Sequence, residues 1–316
     1  MSFIRTVLGD LPPGELGPCY AHEHLIIDKS YATQLAPDIF LPSVENGVRE
    51  LRDFKAAGGR AVVDCMPCDA GRNIEKLAAV SKGSGVHVIA PTGLHRTRFY
   101  PEGHWRYTLP VDRLADVFVD EIERGIDAND CAGPELRRSP HKAGILKIAS
   151  DGPTLTEAER HSFEAAASAH RRTGCPVITH CESGRGGEQI AFLYSRGVSP
   201  RNLILSHTDR HADPDYHRAL FKTGVYLEYD RVFRGSLDDA NPTLQLFVRM
   251  VKEFPSQLML GTDGARQSYW RSYGGKPGLD YLLTEFSDRA RKLGVTEAEL
   301  KQVFVDNPSN AYAFRR

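Results

Sequence analysis

The chain has 316 residues, of which 41% are hydrophobic and 26% charged, and its formal net charge is -1. That length suits one large α/β barrel or two ordinary domains, and the near-neutral charge argues against a nucleic-acid-binding surface. No apolar run is long enough for a signal peptide or a membrane span, so we expect a cytoplasmic protein without a membrane partner.

Eight short apolar runs recur along the chain and predict strands that are buried on both faces, as in a parallel sheet. They span 19–22, 60–64, 86–90, 144–148, 176–180, 203–207, 225–228 and 258–263. Each run is followed by a helical pattern or a long loop, and no linker or internal repeat separates them. The pattern predicts an α/β fold in which residues 1–316 form a single (β/α)8 barrel domain.

Recognisable ends mark several of the intervening helices. Thr156 and Glu159 can form a capping box, and the helix they begin would run to Arg172 and end at Gly174. The segment 296–299 repeats the capping box, and 43–57 reads as a further helix. The segment 99–110 is irregular, and it predicts a loop above the third strand.

The six cysteines suggest reduced thiols. Cys65 and Cys68 form a C-x-x-C pair, which is the spacing of zinc ribbons and of redox motifs. A zinc ribbon needs a second pair, and a redox site needs the pair to open a helix. Because this pair follows an apolar run, we expect packed thiols at the end of a strand.

His22 and His24 can point to the same side of an extended segment and so place two imidazoles on one metal ion. Alone, such a pair is more often a chance surface feature than a site. In a (β/α)8 barrel, however, the C-terminal ends of the strands meet at one mouth. The predicted strand ends supply six side chains with suitable chemistry: His22, His24, Lys147, His180, His207 and Asp263.

Lys147 is unexpected beside a metal, since an ammonium group repels cations. A lysine buried away from water can lose its proton and then react with carbon dioxide. The resulting carbamate is a carboxylate on a long stem, and it could bridge two metal ions. The alternative is an ion pair between Lys147 and Asp263 with no metal between them.

These residues resemble the binuclear metal site of the phosphotriesterase family, which belongs to the amidohydrolase superfamily of (β/α)8 barrels. The strings at 21–24, 145–148, 179–180, 274–283 and 306–308 are similar to that family as well. The resemblance implies that His22, His24 and Asp263 hold a buried metal, that His180 and His207 hold an exposed one, and that carbamylated Lys147 bridges them. Zinc is the expected ion, although manganese, cobalt and iron suit the same ligands.

The resemblance also implies the reaction. A hydroxide shared by the two ions attacks the substrate, and Asp263 takes up its proton. Asp263 and Lys147 are therefore the expected catalytic residues. Asp209 could orient a ligand or carry the proton outward, or it could simply begin a turn. The expected partners are a small-molecule substrate and a second copy of the chain in a homodimer.

The strand-end loops, which select the substrate, are rich in arginine, and this favours an anionic or strongly polar molecule. The predicted substrate-binding residues are Arg231, His95, Tyr229, Arg266 and Arg185. Arg231 follows an aspartate, as in lactonases of the family. His95 replaces the aromatic residue that quorum-sensing lactonases and organophosphate-degrading members carry.

We therefore expect a lactone or carboxyl ester that bears hydroxyls, a phosphate or a carboxylate, such as a sugar lactone, with weak phosphotriesterase side activity. One alternative is an amidase acting on an N-acylated amino or sulfonic acid, and another is an organophosphate phosphotriesterase. A mononuclear deaminase would not need Lys147, and a metal-dependent DNase would carry a basic surface. A catalytically inactive ligand-binding barrel would have lost some of the six ligands.

Overall fold

The structure is a computed structural model that describes residues 2–131, 135–152, 154–182 and 184–315. Its strands are β1 (Ile4–Thr6), β2 (Gly9–Leu11), β3 (Cys19–Glu23), β4 (Ala61–Asp64), β5 (His87–Ile89), β6 (Pro91–Gly93), β7 (Ile145–Ala149), β8 (Val177–His180), β9 (Leu203–Ser206), β10 (Tyr226–Tyr229) and β11 (Leu258–Leu260). Its helices are α1 (Tyr31–Leu35), α2 (Val44–Ala56), α3 (Ile74–Ser84), α4 (Val111–Glu123), α5 (Glu157–Thr173), α6 (Gly186–Tyr194), α7 (Pro214–Phe221), α8 (Pro242–Glu253), α9 (Ser287–Lys292), α10 (Glu297–Lys301) and α11 (Asn307–Ala311).

The strands β3 to β11 form the predicted (β/α)8 barrel, with parallel pairing between neighbours. One run is β3-β4-β5 and the other is β6-β7-β8-β9-β10-β11. The third predicted strand is divided at Ala90, so that β5 pairs with β4 whereas β6 pairs with β7. On the other side of the barrel, the backbone N–H of Asp263 donates to the carbonyl oxygen of His22 at 3.1 Å, which connects the end of β11 to β3.

The barrel strands are buried on both faces, as the apolar runs predicted. Alternate side chains such as Val63, Ile145 and Met259 point inward and pack on one another inside the barrel. The intervening side chains, such as Val62 and Leu146, pack against the surrounding helices. This arrangement explains why the strands show no alternation of polar and apolar residues.

An N-terminal β-hairpin is the main element that the sequence reasoning did not anticipate. Strands β1 and β2 pair antiparallel, with Ile4 opposite Leu11. Both side chains join the apolar cluster inside the barrel, together with Leu16. A Cβ on Gly144, just before β7, would lie 2.2 Å from the carbonyl oxygen of Arg5, so the hairpin lies at the end where the strands begin. It therefore covers the barrel core opposite the mouth.

The predicted helix ends are confirmed. The Thr156 hydroxyl accepts a hydrogen bond from the Glu159 N–H at 3.3 Å, and the Glu159 carboxylate accepts one from the Thr156 N–H at 2.7 Å. Helix α5 ends at Thr173, and Gly174 follows with a φ of 74°. Thr296 caps α10 in the same way, and Ser43 caps α2.

The cysteine and loop predictions are also confirmed. All six cysteines are free, and Cys65 and Cys68 are buried at the end of β4. The segment 99–110 is a loop that begins at the end of a 3-10 turn, Thr97–Phe99, and contains another at Trp105–Tyr107. Within the described ranges, none of the helices is long and apolar enough to cross a membrane.

Candidate metal centre

Five strands bring the six predicted ligand side chains to one end of the barrel. His22 is in β3, His24 follows that strand, and Lys147 is in β7. His180 ends β8, His207 follows β9, and Asp263 follows β11. The ring centroids of His22 and His207 are 4.7 Å apart, and those of His180 and His207 are 4.2 Å apart. The imidazoles therefore form one continuous, buried cluster.

Two members of this group have a strained backbone. His207 has a φ of 60° and Asp263 a φ of 46°, in the left-handed region that non-glycine residues seldom occupy. Each such residue costs about 1–3 kcal/mol, and such strain collects at functional sites where the surrounding structure enforces it. Hydrogen bonds hold both backbones in this conformation: the N–H of His207 donates to Asp230, and the N–H of Asp263 donates to the His22 carbonyl oxygen.

The donor atoms of His22, His24 and Asp263 fit a divalent ion. One ligand atom from each of the three lies within 4.8 Å of the others. The 3.3 Å between His24 Nε2 and Asp263 Oδ1 is close to the spacing of two ligands on one zinc ion with bonds of about 2.1 Å. Burial, followed by the nearby charge of Lys147, lowers the pKa of His22 well below its usual value, which favours the neutral, metal-binding imidazole.

Two buried carboxylates, which the sequence reasoning missed, orient these imidazoles. Glu228 Oε2 lies 3.2 Å from His22 Nδ1, and Asp230 Oδ1 lies 2.7 Å from His207 Nδ1. Metal-binding histidines usually make this kind of hydrogen bond through the ring nitrogen that does not face the ion. Carboxylates two positions apart at the end of β10 were the available signal, because residues at that spacing share a face of a strand.

Further buried carboxylates hold the backbone on either side of the ligands. Glu23 accepts hydrogen bonds from the Thr262 N–H at 2.8 Å and from the Gly264 N–H at 3.3 Å, so it fixes both neighbours of Asp263. Burial raises the pKa of Glu23 to about 8. Asp64 accepts from the Leu25 N–H at 2.7 Å and thereby fixes the segment that follows His24.

Asp209 has a related supporting role. Its carboxylate accepts hydrogen bonds from the backbone N–H groups of Asp230 at 3.3 Å and Arg231 at 3.0 Å. The Thr243 hydroxyl donates to it at 2.6 Å. Burial, and then the charge of Asp230, raise the pKa of Asp209 to about 7. Asp209 therefore braces the loop that follows β10.

Lys147 is fully buried among these groups, and its Nζ lies 3.4 Å from the Ser206 hydroxyl. Gly93 permits the close approach of β6 to β7, because a Cβ there would lie 2.0 Å from the Lys147 carbonyl oxygen. The alternative of a direct ion pair between Lys147 and Asp263 is not observed. Asp263 instead pairs with Arg234, whose Nη2 is 2.6 Å from Oδ2.

The contact with Arg234 determines the protonation state of Asp263. Burial acts to raise the pKa of this carboxyl, but the Arg234 guanidinium and the hydrogen bond from His24 outweigh it and hold the pKa well below its usual range. Asp263 is therefore a carboxylate near neutral pH. Its Oδ2 bonds to Arg234 and its Oδ1 faces His24.

Above the cluster lies a cavity with a volume of about 220 Å³. Its arginine lining comprises Arg96, Arg98, Arg210, Arg231, Arg234 and Arg266. Carboxylates neutralise several of these: Glu182 pairs with Arg96 at 3.0 Å and also with Arg210, and Asp38 pairs with Arg266 at 2.8 Å. Arg98 and Arg231 have no carboxylate partner within the described part of the chain.

The structure separates the predicted substrate-binding residues into two groups. Arg231, His95 and Arg266 line the cavity. Tyr229 does not: it is fully buried among the residues that face the helices, and its hydroxyl lies 2.9 Å from His217 Nδ1. The alternation of β10 turns Glu228 and Asp230 toward the centre, so Tyr229 must point outward. Arg185 is exposed at the start of α6 and is not among the lining residues.

Glu182 is another residue that the sequence reasoning missed. Its Oε1 lies 2.8 Å from His180 Nε2, at the edge of the cavity. It thus connects the loop after β8 to arginines from the loops after β6 and β9.

Known proteins resemble this chain over its whole length. A model of the phosphotriesterase family matches residues 2–312. The chain is 31% identical to phospho-furanose lactonase from Mycoplasmopsis synoviae, over 99% of this chain and 92% of that protein. It is 33% identical to phosphotriesterase homology protein from Escherichia coli, over 94% of this chain and 98% of that protein.

A solved structure agrees with these matches. The crystal structure of a lactonase from Listeria monocytogenes aligns with a TM-score of 0.90 at 29% identity, and the alignment covers 99% of this chain and 100% of the other. With the barrel and the histidine cluster described above, the chain therefore belongs to the phosphotriesterase family and is a hydrolase.

Proposed function

We propose that this hydrolase is metal-dependent and opens a polar or anionic lactone of the sugar type, including one that carries a phosphate. The observation that carries the proposal is the cavity itself, in which six arginines surround a cluster of histidines and a carboxylate. A small ester with negative charge or many hydroxyls matches this lining, whereas a large apolar ester does not.

His22, His24 and Asp263 would hold one divalent ion, and His180 and His207 a second, with carbamylated Lys147 between them. Bound there, the ions supply a hydroxide nucleophile at neutral pH and polarise the carbonyl group of the substrate. The donor set fits this chemistry, because it offers imidazole nitrogens and carboxylate oxygens. Zinc remains the proposed ion.

The protein residues divide the remaining tasks. Glu228 and Asp230 keep the imidazoles in position, and Arg234 keeps Asp263 ionised and oriented. Asp263 Oδ1 faces His24, and we propose that this carboxylate receives the proton of the nucleophile. When the lactone ring opens, the leaving alkoxide must take up a proton. Asp263 lines the cavity and can pass the proton to this alkoxide.

The unpaired positive charge in the cavity favours a lactone with an anionic substituent. Arg98 is exposed and Arg231 half-buried, and neither has a carboxylate partner in the described segments. A phosphate can accept bidentate, charge-assisted hydrogen bonds from guanidinium groups. Two relatives are named phospho-furanose lactonase, and this name supports a phosphorylated lactone as the substrate here.

A hydrolysis panel tests the proposal. It contains five-membered sugar lactones with and without a phosphate, an acyl-homoserine lactone, N-acyl amino and sulfonic acids, and a dialkyl aryl phosphate. We expect the phosphorylated sugar lactone to have the highest kcat/KM and the phosphotriester to be hydrolysed weakly. Preferred cleavage of the N-acyl compounds would replace the lactonase with an amidase, and no hydrolysis by metal-loaded protein would reject the proposal.

A further inference from the structure

We propose that His95 is a catalytic hydrogen-bond donor, whose Nε2–H stabilises the substrate oxygen that becomes negatively charged during hydrolysis. The inference rests on the proposed ester or lactone hydrolysis, and it assigns a specific task to a residue that is not among the candidate metal ligands. Three observations carry it: a fixed ring orientation, a fixed tautomer and a position on the cavity wall beside His180.

The backbone of His95 is held at both its N–H and its carbonyl oxygen. Its N–H donates to the Tyr100 hydroxyl at 2.8 Å, and its carbonyl oxygen accepts from Arg106 Nη1 at 3.1 Å. The Tyr100 hydroxyl in turn donates to the Cys68 carbonyl oxygen at 2.9 Å. Arg106 is only 2% exposed, with its guanidinium 4.7 Å from the Tyr100 ring centroid. His95 is therefore preorganised by a rigid shell.

One hydrogen bond determines which ring nitrogen carries the proton. The backbone N–H of Arg96 donates to His95 Nδ1 at 2.7 Å, so Nδ1 must be an acceptor. A histidine with an acceptor Nδ1 is neutral and carries its hydrogen on Nε2. Within the residues that the structure describes, Nε2 has no hydrogen-bond partner, and the side chain lines the cavity. The ring thus presents one free N–H donor there.

The position of this donor suits an oxyanion. The His95 ring centroid is 5.6 Å from that of His180 and 4.6 Å from that of Phe99. His180 is a proposed ligand of the exposed ion, which is where the substrate carbonyl would be polarised. A preorganised donor beside developing negative charge contributes more in the transition state than in the ground state. An aromatic hydrocarbon side chain at this position could not supply it.

Two substitutions separate the donor from the shape of the side chain. His95→Gln places an amide N–H near the position of Nε2, whereas His95→Phe keeps the ring and removes the donor. We expect His95→Phe to lower kcat about 10²–10³-fold with KM almost unchanged, and His95→Gln to retain most of the activity. His87→Phe, at the opposite end of the barrel, is the matched control. Metal content and thermal midpoint are measured for all three.

A second readout does not depend on turnover. Affinity for phenyl methylphosphonate, a tetrahedral anionic mimic of attack on phenyl acetate, should fall in His95→Phe and recover in His95→Gln. Equal losses in both variants, an effect on KM alone, or loss of bound metal in His95→Phe would overturn the assignment. Assays with phenyl acetate keep the two proposals apart, because the donor effect can be present there even if no sugar lactone is hydrolysed.

Discussion

Two imidazoles of the candidate metal centre are oriented by carboxylates at the end of β10. Asp230 contacts His207 through both its side-chain oxygens, one to Nδ1 at 2.7 Å and one to the backbone N–H at 3.0 Å. Glu228 contacts His22 and is itself held by the Tyr312 hydroxyl at 2.6 Å. Such partners fix the ring orientation and raise the basicity of a ligand, so they should affect metal binding almost as much as the ligands do.

Asp230→Asn should therefore weaken metal binding about 10–100-fold while leaving the fold intact. The measurement is a competition titration against a chelator of known affinity. Asp288→Asn, on the exposed surface of α9, is the control. Identical chelator midpoints for the two variants would show that Asp230 does not support the ligands.

Arg231→Met should reduce kcat/KM for a phosphorylated lactone about 10–100-fold, because a hydrogen bond to a charged group contributes about 1.5–3 kcal/mol. The same variant should change hydrolysis of the uncharged lactone less than threefold. Arg113→Met removes an exposed guanidinium on α4 and is the matched control. A parallel loss on charged and uncharged lactones would mean that Arg231 does not recognise the anion.

At the scale of the element, the positions of the strands were predictable and the directions of their side chains were not. A strand buried on both faces shows no alternation of polar and apolar residues, so only the carboxylates at positions 228 and 230 indicated that Glu228 points inward and Tyr229 outward. The hairpin β1–β2 was missed because its strands have three residues each and carry polar side chains. The positions of the candidate ligands were predictable because each of them lies at or near the end of an apolar run.

Close packing between β6 and β7 explains why position 93 is a glycine. A Cβ on Gly93 would lie 2.0 Å from the Lys147 carbonyl oxygen, and its φ is 109°. Gly93→Ala should therefore lower the free energy of unfolding by about 3–5 kcal/mol, from steric overlap together with an unfavourable φ.

Gly103→Ala is the matched control for that prediction, because Gly103 has a φ of 76° but no atom within 4 Å of an added Cβ. It should cost only about 1 kcal/mol, since the backbone penalty remains and the overlap does not. Chemical denaturation of both variants makes the comparison. Equal destabilisation would show that φ alone, and not the approach to Lys147, requires glycine at position 93.

At the scale of the whole molecule, the candidate ligands come from strands on both sides of the barrel. Metal ions held by β3, β7, β8, β9 and the end of β11 would connect elements that are distant in sequence. Metal that binds only the folded state contributes about 2.7 kcal/mol per ion when free metal is 100-fold above its Kd, and this should raise the thermal midpoint by about 4 °C for each ion bound. Calorimetry of chelated and reloaded protein measures this shift, and an unchanged midpoint would contradict it.

The homodimer expected from the family resemblance remains a prediction. Light scattering coupled to size-exclusion chromatography should give a mass of about twice the 35.1 kDa of one chain. A mass of one chain at micromolar concentration would reject it.

The central claim, a hydrolase with two metal ions bridged by carbamylated Lys147, is tested most directly by measuring bound metal and lactone hydrolysis together in wild type and Lys147→Ala. We predict about two ions per chain in wild type, fewer in the variant, and hydrolysis that falls with the lost metal. Full metal content and unchanged hydrolysis in Lys147→Ala would contradict the bridge.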